Sequence, residues 1–295
     1  MDISISNTLR VMKRRVVRRY ELLRRYSDKK SLLLRYRATF GKELDLTNPQ
    51  TFTEKLFSRM VLISRYGNPV LTRLSDKFLV RDYVEHKIGE KYLIKLLWSG
   101  VDPSDIPFDG LPPKCIVKTN NGSGRNLIIQ HAIHRQHVIE KLRMWLNENY
   151  HWVLREYQYY KIEPRIIIEE FLDDGRPDGP IDYRFWCFAG NPAMVQIDNS
   201  LHTIDLFYDI DWNLLQLRHR ERNTECGIPR PPNFAEMVSV ASELSAEFDF
   251  VRVDLYNLNG GIKFGELTFT PRAGNIQFRP SSWDVFLGRK WIMQK

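Results

Sequence analysis

The sequence is poor in cysteine: Cys115, Cys187 and Cys226 are its only three, far apart and without metal-ligand spacing. That excludes a disulfide framework and a cysteine zinc site, and predicts reduced thiols in or near the core. Long apolar runs are also missing, since no stretch of about eighteen uncharged apolar residues occurs to serve as a membrane-spanning helix. The first residues carry arginines where a secretory leader needs its apolar segment, so a cytoplasmic protein is expected. Internal repeats and low-complexity linkers are absent as well. What is present is an apolar fraction of 43% in 295 residues, enough for a sizeable core in one large domain or two closely packed ones.

Positive charge is concentrated in one place. Residues 1–40 hold 12 Lys/Arg against 3 Asp/Glu, leaving 32 against 33 in the rest of the chain. Within "TLRVMKRRVVRRYELLRRYSDKKSLLLRYR", Leu9, Met12, Val16, Tyr20 and Leu23 recur at three- and four-residue steps, which predicts a helix with an apolar stripe and basic flanks. Such a helix either docks on the body by its stripe, leaving a solvated cationic face, or offers a platform to anionic membrane headgroups or an acidic polymer. Nucleic acid is not expected as a partner, because the arginines come without a DNA- or RNA-binding motif.

Farther along, "LTNPQTFTEKLFSRMVLIS" offers Thr51 or Thr53 as a helix cap, and "NPVLTRLSDKFLVRDYVEHKIG" reads as another helix closed by Gly89. Helical spacing returns from His134 to Trp145 and in "NFAEMVSVASELSAEF". "PRIIIEEFLDDG" reads as a strand, "IDYRFWCFAGNPAMVQID" as a hairpin turning at Gly190 and Asn191, and "FVRVDLYNLNGGIKFGELTFTP" as a second hairpin turning at Asn259 to Gly261. The fold class is α+β with mostly antiparallel sheets. His131, His134 and His137 step by three, which does not match an i, i+4 metal pair and suits a solvated helix face. His202, near a hairpin end, is within reach of an acceptor pocket.

In "KCIVKTNNGSGRNLII" a loop of Gly122, Ser123 and Gly124 joins two apolar runs. Glycine lets backbone amides approach an anion closely, although a plain turn uses the same residues. The loop matches neither the dinucleotide fingerprint nor the P-loop. Lys118 closes the first apolar run, where an unpaired ammonium is costly and polyphosphate would supply a partner. Lys77 is a second candidate of that kind. In the last hairpin Asp254 and Glu266 stand where they can face one another, and Arg252 alternates onto the face of Asp254. Two carboxylates held together call for a cation between them, and Mg²⁺ takes one or two carboxylates plus phosphate oxygens. A cation for charge on a transferring phosphoryl group then stands beside them.

As an ordered series, "TFTEK", "LSDKFLVRDYV", "KTNNGSG", "PRIIIEEFL", "DYRFWCF", "FYDIDWNLL", "FVRVDLYN" and "FGELTFTPRAG" resemble the ATP-grasp superfamily, and within it the TupA-like (teichuronopeptide biosynthesis) branch. The resemblance implies an ATP-grasp fold of two α+β subdomains clasping ATP. It implies a helical basic region over 1–75, a central subdomain with the glycine-rich loop over 76–170, and a C-terminal subdomain with the metal site over 171–295. It assigns Lys77, Lys118, Asn121, Gly122, Ser123 and Gly124 to the ATP phosphates, and Glu169, Glu170, Phe171 and Leu172 to the adenine hinge. Asp182 falls near the ribose, and Arg184, Arg252 and Lys118 act on the phosphates or acyl phosphate. Asp254 and Glu266 take the metal, with Thr268 where many relatives have Asn. The activity implied is Mg²⁺- and ATP-dependent amide formation through an acyl phosphate. Its substrates are expected to be a carboxylate-bearing sugar or polysaccharide precursor and an amine or amino acid. A phosphotransferase acting on a sugar-like hydroxyl and a non-catalytic nucleotide-binding accessory of glycan assembly are the alternatives. The protein is expected in the cytoplasm, with the basic helix at the inner face of the membrane.

Overall fold

The computed structural model describes residues 2–130, 134–199, 201–219 and 227–293, with side chains described from Tyr20 onward. Cys226 and His131 lie outside the described residues. Cys115 and Cys187 are buried free thiols.

The basic segment forms one helix, α1 (Asp2–Phe40). Its buried row is Arg24, Asp28, Leu32 and Tyr36, spaced by four so that the side chains stand above one another on one face. This corrects the expected stripe: Tyr20 and Leu23 are 50% and 62% exposed, and the side chains of Leu9, Met12 and Val16 lie outside the described ones. The helix docks partly through ion pairs, which an apolar periodicity does not register. Arg24 donates to Glu21 at 2.9 Å and to Asp28 at 2.5 Å, and its guanidinium lies over the rings of Tyr157 and Tyr160. One turn later, Leu32 and Tyr36 join Phe57 and Met60 in an apolar cluster.

In α2 (Phe52–Tyr66) the cap is Thr51, not Thr53: its hydroxyl accepts from the Glu54 amide and the Glu54 carboxylate accepts from the Thr51 amide. The run expected as one helix after Asn68 divides into α3 (Pro69–Ser75) and α4 (Val80–Ile88), the latter closed by Gly89 at φ 99°. The cause is Asp76, whose carboxylate takes the Phe78 and Leu79 amides and so turns the chain out of the helix. Lys77 therefore sits in the break rather than on an amphipathic helix.

The first sheet contains β1 (Leu96–Gly100), β2 (Lys114–Thr119), β3 (Asn126–Gln130) and β4 (Ile166–Glu170) in the antiparallel order β1-β4-β2-β3. Between β3 and β4 run α5 (Arg135–Asn147) and the short α6 (His151–Leu154). Val138, Leu142 and Trp145 of α5 pack on Cys115, Val117, Ile166 and Ile168.

The second sheet contains β5 (Ile181–Phe188), β6 (Asn191–Asn199), β7 (Leu206–Tyr208), β8 (Val251–Leu258) and β9 (Gly261–Thr268), all antiparallel in the order β7-β6-β5-β8-β9. Its first hairpin turns through Ala189 and Gly190, one residue earlier than expected, because Asn191 already pairs with Phe188. The second turns through Asn259 and Gly260. One face of this sheet is mostly apolar, with Phe185, Val195, Val253 and Leu255 packing on Phe234, Met237 and Leu244 of α7 (Phe234–Ser245). The other face is divided. At one end Trp186, Met194 and Phe250 pack on Phe52 of α2 and on Leu287 and Trp291 in and just past α8 (Ser282–Lys290); the remainder is polar, and it holds the candidate site.

Candidate functional site

Strand pleating and register assemble the polar face. Period two sends Arg252 and Asp254 to the same side of β8, while Val251, Val253 and Leu255 enter the core. Across the sheet Arg184 stands opposite Asp254, which stands opposite Glu266; Arg252 stands opposite Thr268, and Asp182 opposite Asp198. The cation between the two expected metal carboxylates is Arg252. It grips Asp254 with two nitrogens at 2.7 and 2.5 Å and reaches Glu266 at 3.4 Å and the Thr268 hydroxyl at 3.1 Å. Thr268 in turn donates to Glu266 at 2.7 Å. Arg184 bonds Asp182 at 2.7 Å and Asp198 at 2.5 Å and lies 3.7 Å from Asp254.

Burial pushes the Asp254 carboxyl up, with the charges of Asp182 and Glu266 adding to it and Arg252 opposing. Burial pushes Glu266 up as well, but the charges of Lys77 and Arg252 outweigh it and hold this carboxylate below its ordinary range. Glu266 keeps 37% of its side chain exposed, so it is the member of the group that solvent reaches. Asp182 has one buried oxygen, Oδ1, with no hydrogen-bond partner among the described residues.

Facing these groups is the glycine loop between β2 and β3. Lys77 donates to the Gly122 carbonyl, and Lys118 pairs with Glu169 at 2.6 Å. Burial lowers the Lys77 ammonium, as does Lys118, against the pull of Glu266, so residues of both sheets act on this one charge. Asn120 ties down the loop base through Asp76, the Glu163 carbonyl and the Arg165 amide. Asn121 donates to the Glu148 carbonyl at 3.4 Å, and its buried Oδ1 has no partner among the described residues. Gly122 is buried, Ser123 and Gly124 are exposed, and Gly124 has φ 70°.

The four residues expected at the adenine hinge diverge. Glu169 turns inward between Lys118 and Arg81, the latter at 2.9 Å. Glu170 accepts from the Lys95 amide at 3.3 Å, the Phe171 ring carries the Lys114 ammonium at 3.7 Å, and Leu172 is half-buried. His202 is half-exposed, with Nδ1 2.9 Å from Asp198. Two cavities of about 540 and 570 Å³ flank the turn at Tyr66–Asn68 and contain none of the expected site residues. Among the described residues no group of three His, Cys, Asp or Glu forms a metal cage.

Sequence reasoning missed the segment after α5. Tyr150 backs the glycine loop: its ring lies against Gly122 and stands edge-on to Tyr159 at 5.2 Å. Glu156 and Gln158 both meet Thr270, two residues past Thr268. Arg81 and Asp198 were also missed. The stretch "REYQYY" has neither a helical nor a strand period; its one signal was polar side chains among closely spaced tyrosines.

Residues 54–292 match the family model for TupA-like ATP-grasp proteins. No curated protein matches the chain. Among solved structures it is similar to D-alanine–D-alanine ligase from Bacillus anthracis complexed with ATP, at 16% identity over 70% of this chain and 60% of that one, TM-score 0.41. It is similar to an L-amino acid ligase from Bacillus licheniformis, at 14% identity over 80% and 53%, TM-score 0.43. It is also similar to the ATP-grasp ligase PsnB complexed with a minimal precursor, Mg and ADP, at 11% identity over 73% and 60%, TM-score 0.38. The chain thus spans 60% or less of the length of these three structures. Because the matched region runs from α2 to the end of α8, and so takes in both sheets, the glycine loop and the Asp254–Glu266 hairpin, the chain belongs to the TupA-like ATP-grasp family.

Proposed function

We propose that this protein consumes ATP to join a carboxylate to an amine. The single observation that carries this reading is the Arg252 guanidinium shared by Asp254, Glu266 and Thr268, in the field of the half-buried Lys77 ammonium. Buried charge of both signs around a glycine loop suits a substrate that brings phosphate oxygens.

In this reading Lys77, Lys118, Asn121 and the amides of Gly122, Ser123 and Gly124 orient the triphosphate. Glu169, Glu170, Phe171 and Leu172 border the adenine, and Asp182 the ribose. The oxygens of Asp254, Glu266 and Thr268 are hard donors that fit Mg²⁺, an ion that keeps water and phosphate ligands and needs no protein cage. Taking it up would require Arg252 to release part of its grip. When bound there, the ion would neutralise charge on the transferring phosphoryl group. Arg184 and Arg252 stabilise that charge while the γ-phosphoryl group passes to the acceptor carboxylate, and the closed loop keeps water from the acyl phosphate until an amine displaces phosphate.

The substrate class we propose rests on the resemblance to the TupA-like branch: a uronic-acid-type unit of a surface polysaccharide, joined to an amino acid or similar amine. The surface of α1 supports work at the inner face of an anionic membrane, since Leu22, Leu23 and Tyr26 are exposed beside Arg25, Lys29 and Lys30. The test is ADP and phosphate release with pooled uronic acids and amino acids, each omitted in turn. Release that needs both supports the ligase. Release without the amine, accompanied by a phosphorylated product, makes the protein a phosphotransferase, and ATP binding without turnover makes it an accessory.

A further inference from the structure

In the field of Lys77 and Glu266 lies a buried carboxyl, Glu156, with no role in the reading above. Glu156 is 7% exposed, and among the described residues it has no ion-pair partner. Its Oε1 accepts from the Thr270 hydroxyl at 2.5 Å, and the same hydroxyl accepts from Gln158 Nε2 at 2.5 Å. Phe269 is buried in the core beneath the second sheet, so Thr270 turns the opposite way, onto the side of Thr268 and the polar face. The chain around Glu156 also frames the glycine loop, through Tyr150 against Gly122. Glu156 thus stands between the segment that backs the glycine loop and the end of β9.

The charged and titratable groups around it are Arg35 of α1, Lys77 of the α3–α4 break, Glu266 of β9, Tyr150 behind the glycine loop, and Tyr159 nearby in its own segment. Arg35, one of the two cations that act on it, spends its fork on the carbonyls of Leu154 and Ala273 at 2.7 and 2.8 Å. A buried carboxylate satisfied by one hydroxyl is costly, and glutamine would fill the same space without the charge. What the carboxylate lacks among the described residues is a cation paired to it directly, and a substrate ammonium would supply one.

We propose that Glu156, with Gln158 and Thr270, forms the subsite for the amine substrate, and that the Glu156 carboxylate holds its ammonium group and takes its first proton. This rests on the ligase reading. The free amine lone pair then forms the C–N bond to the acyl carbon, the carbon–oxygen bond to phosphate breaks, and the second amine proton leaves with the phosphate. Burial pushes the Glu156 carboxyl up to about 7, a value suited to exchanging a proton near neutrality. Gln158 and Thr270 are positioning residues, acting through that carboxylate.

The experiment compares two nucleophiles on the full-length protein with ATP, Mg²⁺ and pooled uronic acids. Hydroxylamine is uncharged at neutral pH and needs no proton acceptor, whereas pooled amino acids arrive as ammonium ions. For Glu156→Gln the ratio of amide to hydroxamate should fall by about 100-fold, with partial recovery in Glu156→Asp. The amide rate of Glu156→Gln should also climb almost tenfold per pH unit between pH 7 and 8.5, following the free amine, while wild type changes little. An unchanged ratio in Glu156→Gln, both products falling together included, overturns the assignment and leaves the ligase reading standing. No ATP-dependent product of either kind from wild type removes both. A normal thermal transition for the two variants separates these results from misfolding.

Discussion

Gly122 lies against the ring of Tyr150 so closely that a Cβ at this position would fall 2.8 Å from Cδ2. Lys77 bonds the Gly122 carbonyl from its own position in the α3–α4 break, so the ring and the ammonium together fix where the loop stands. Gly122→Ala is therefore expected to lift the loop and raise the KM for ATP by about tenfold with little change in melting temperature. Shortening the ring in Tyr150→Ala should restore much of the loss in the double variant, a coupling that independent sites would not show. Gly124 has open space around it but φ 70°, so Gly124→Ala should cost about 1 kcal/mol of local strain without that coupling.

Removing the guanidinium in Arg252→Met leaves Asp254 buried beside Glu266 with its closest counter-charge gone. Unfolding titrations should show a loss of about 3 kcal/mol, and turnover should vanish. If a divalent ion binds the same two carboxylates, added Mg²⁺ should raise the melting temperature of this variant more than that of wild type. Glu266→Gln should keep the fold and lose turnover; full activity in that variant would refute the metal assignment.

The site residues legible in the sequence are those that strand geometry fixes locally. Period two put Arg252 and Asp254 on one face, and a hairpin with a short turn brought Glu266 opposite. Lys118 and the glycine loop were legible for the same reason, as a strand end and its turn. Glu156, Gln158 and Thr270 were not, because their contacts join residues more than 110 positions apart through a segment with no period. The docking face of α1 escaped for another reason. Its seam is half ionic, with Arg24 and Asp28 sealed in by Tyr157, Tyr160 and His151, and charged residues are read as solvent-facing until a partner from elsewhere is known. Lys77 was legible as a lysine and misread in its setting, since the Asp76 turn that breaks the helix depends partly on Asn120 in the glycine-loop segment.

The outer surface of α1 gives a prediction that separates membrane from polymer. Vesicles of phosphatidylglycerol and phosphatidylcholine should sediment the protein at low salt, and vesicles of phosphatidylcholine alone should not. With each basic residue near the surface contributing about 1 kcal/mol, a Lys29→Glu, Lys30→Glu double variant should bind at least tenfold more weakly. Leu22→Glu with Tyr26→Glu should weaken it as well, because both side chains are more than half exposed and would enter the headgroup layer. Loss through the charges but not through Leu22 and Tyr26 would point to an acidic polymer instead.

The Glu156 carboxyl also makes a prediction about stability that needs no substrate. Burial raises it from 4.5 to about 7, so between these values the folded protein keeps a proton that the unfolded chain has given up. Its contribution is therefore fully present below pH 4.5 and is lost as the pH rises through 7. Glu156→Gln removes the titration while keeping the shape and an acceptor for the Thr270 hydroxyl. Urea unfolding should find the variant and wild type alike near pH 4.5, and the variant more stable at pH 8 by up to about 3 kcal/mol. A residue that lowers stability at working pH and is replaceable by its own amide is explained by what it does to a ligand rather than by what it does for the fold. A variant less stable than wild type at pH 8 would mean instead that Lys77 or Arg35 holds this carboxylate ionised, leaving it no vacancy for an ammonium.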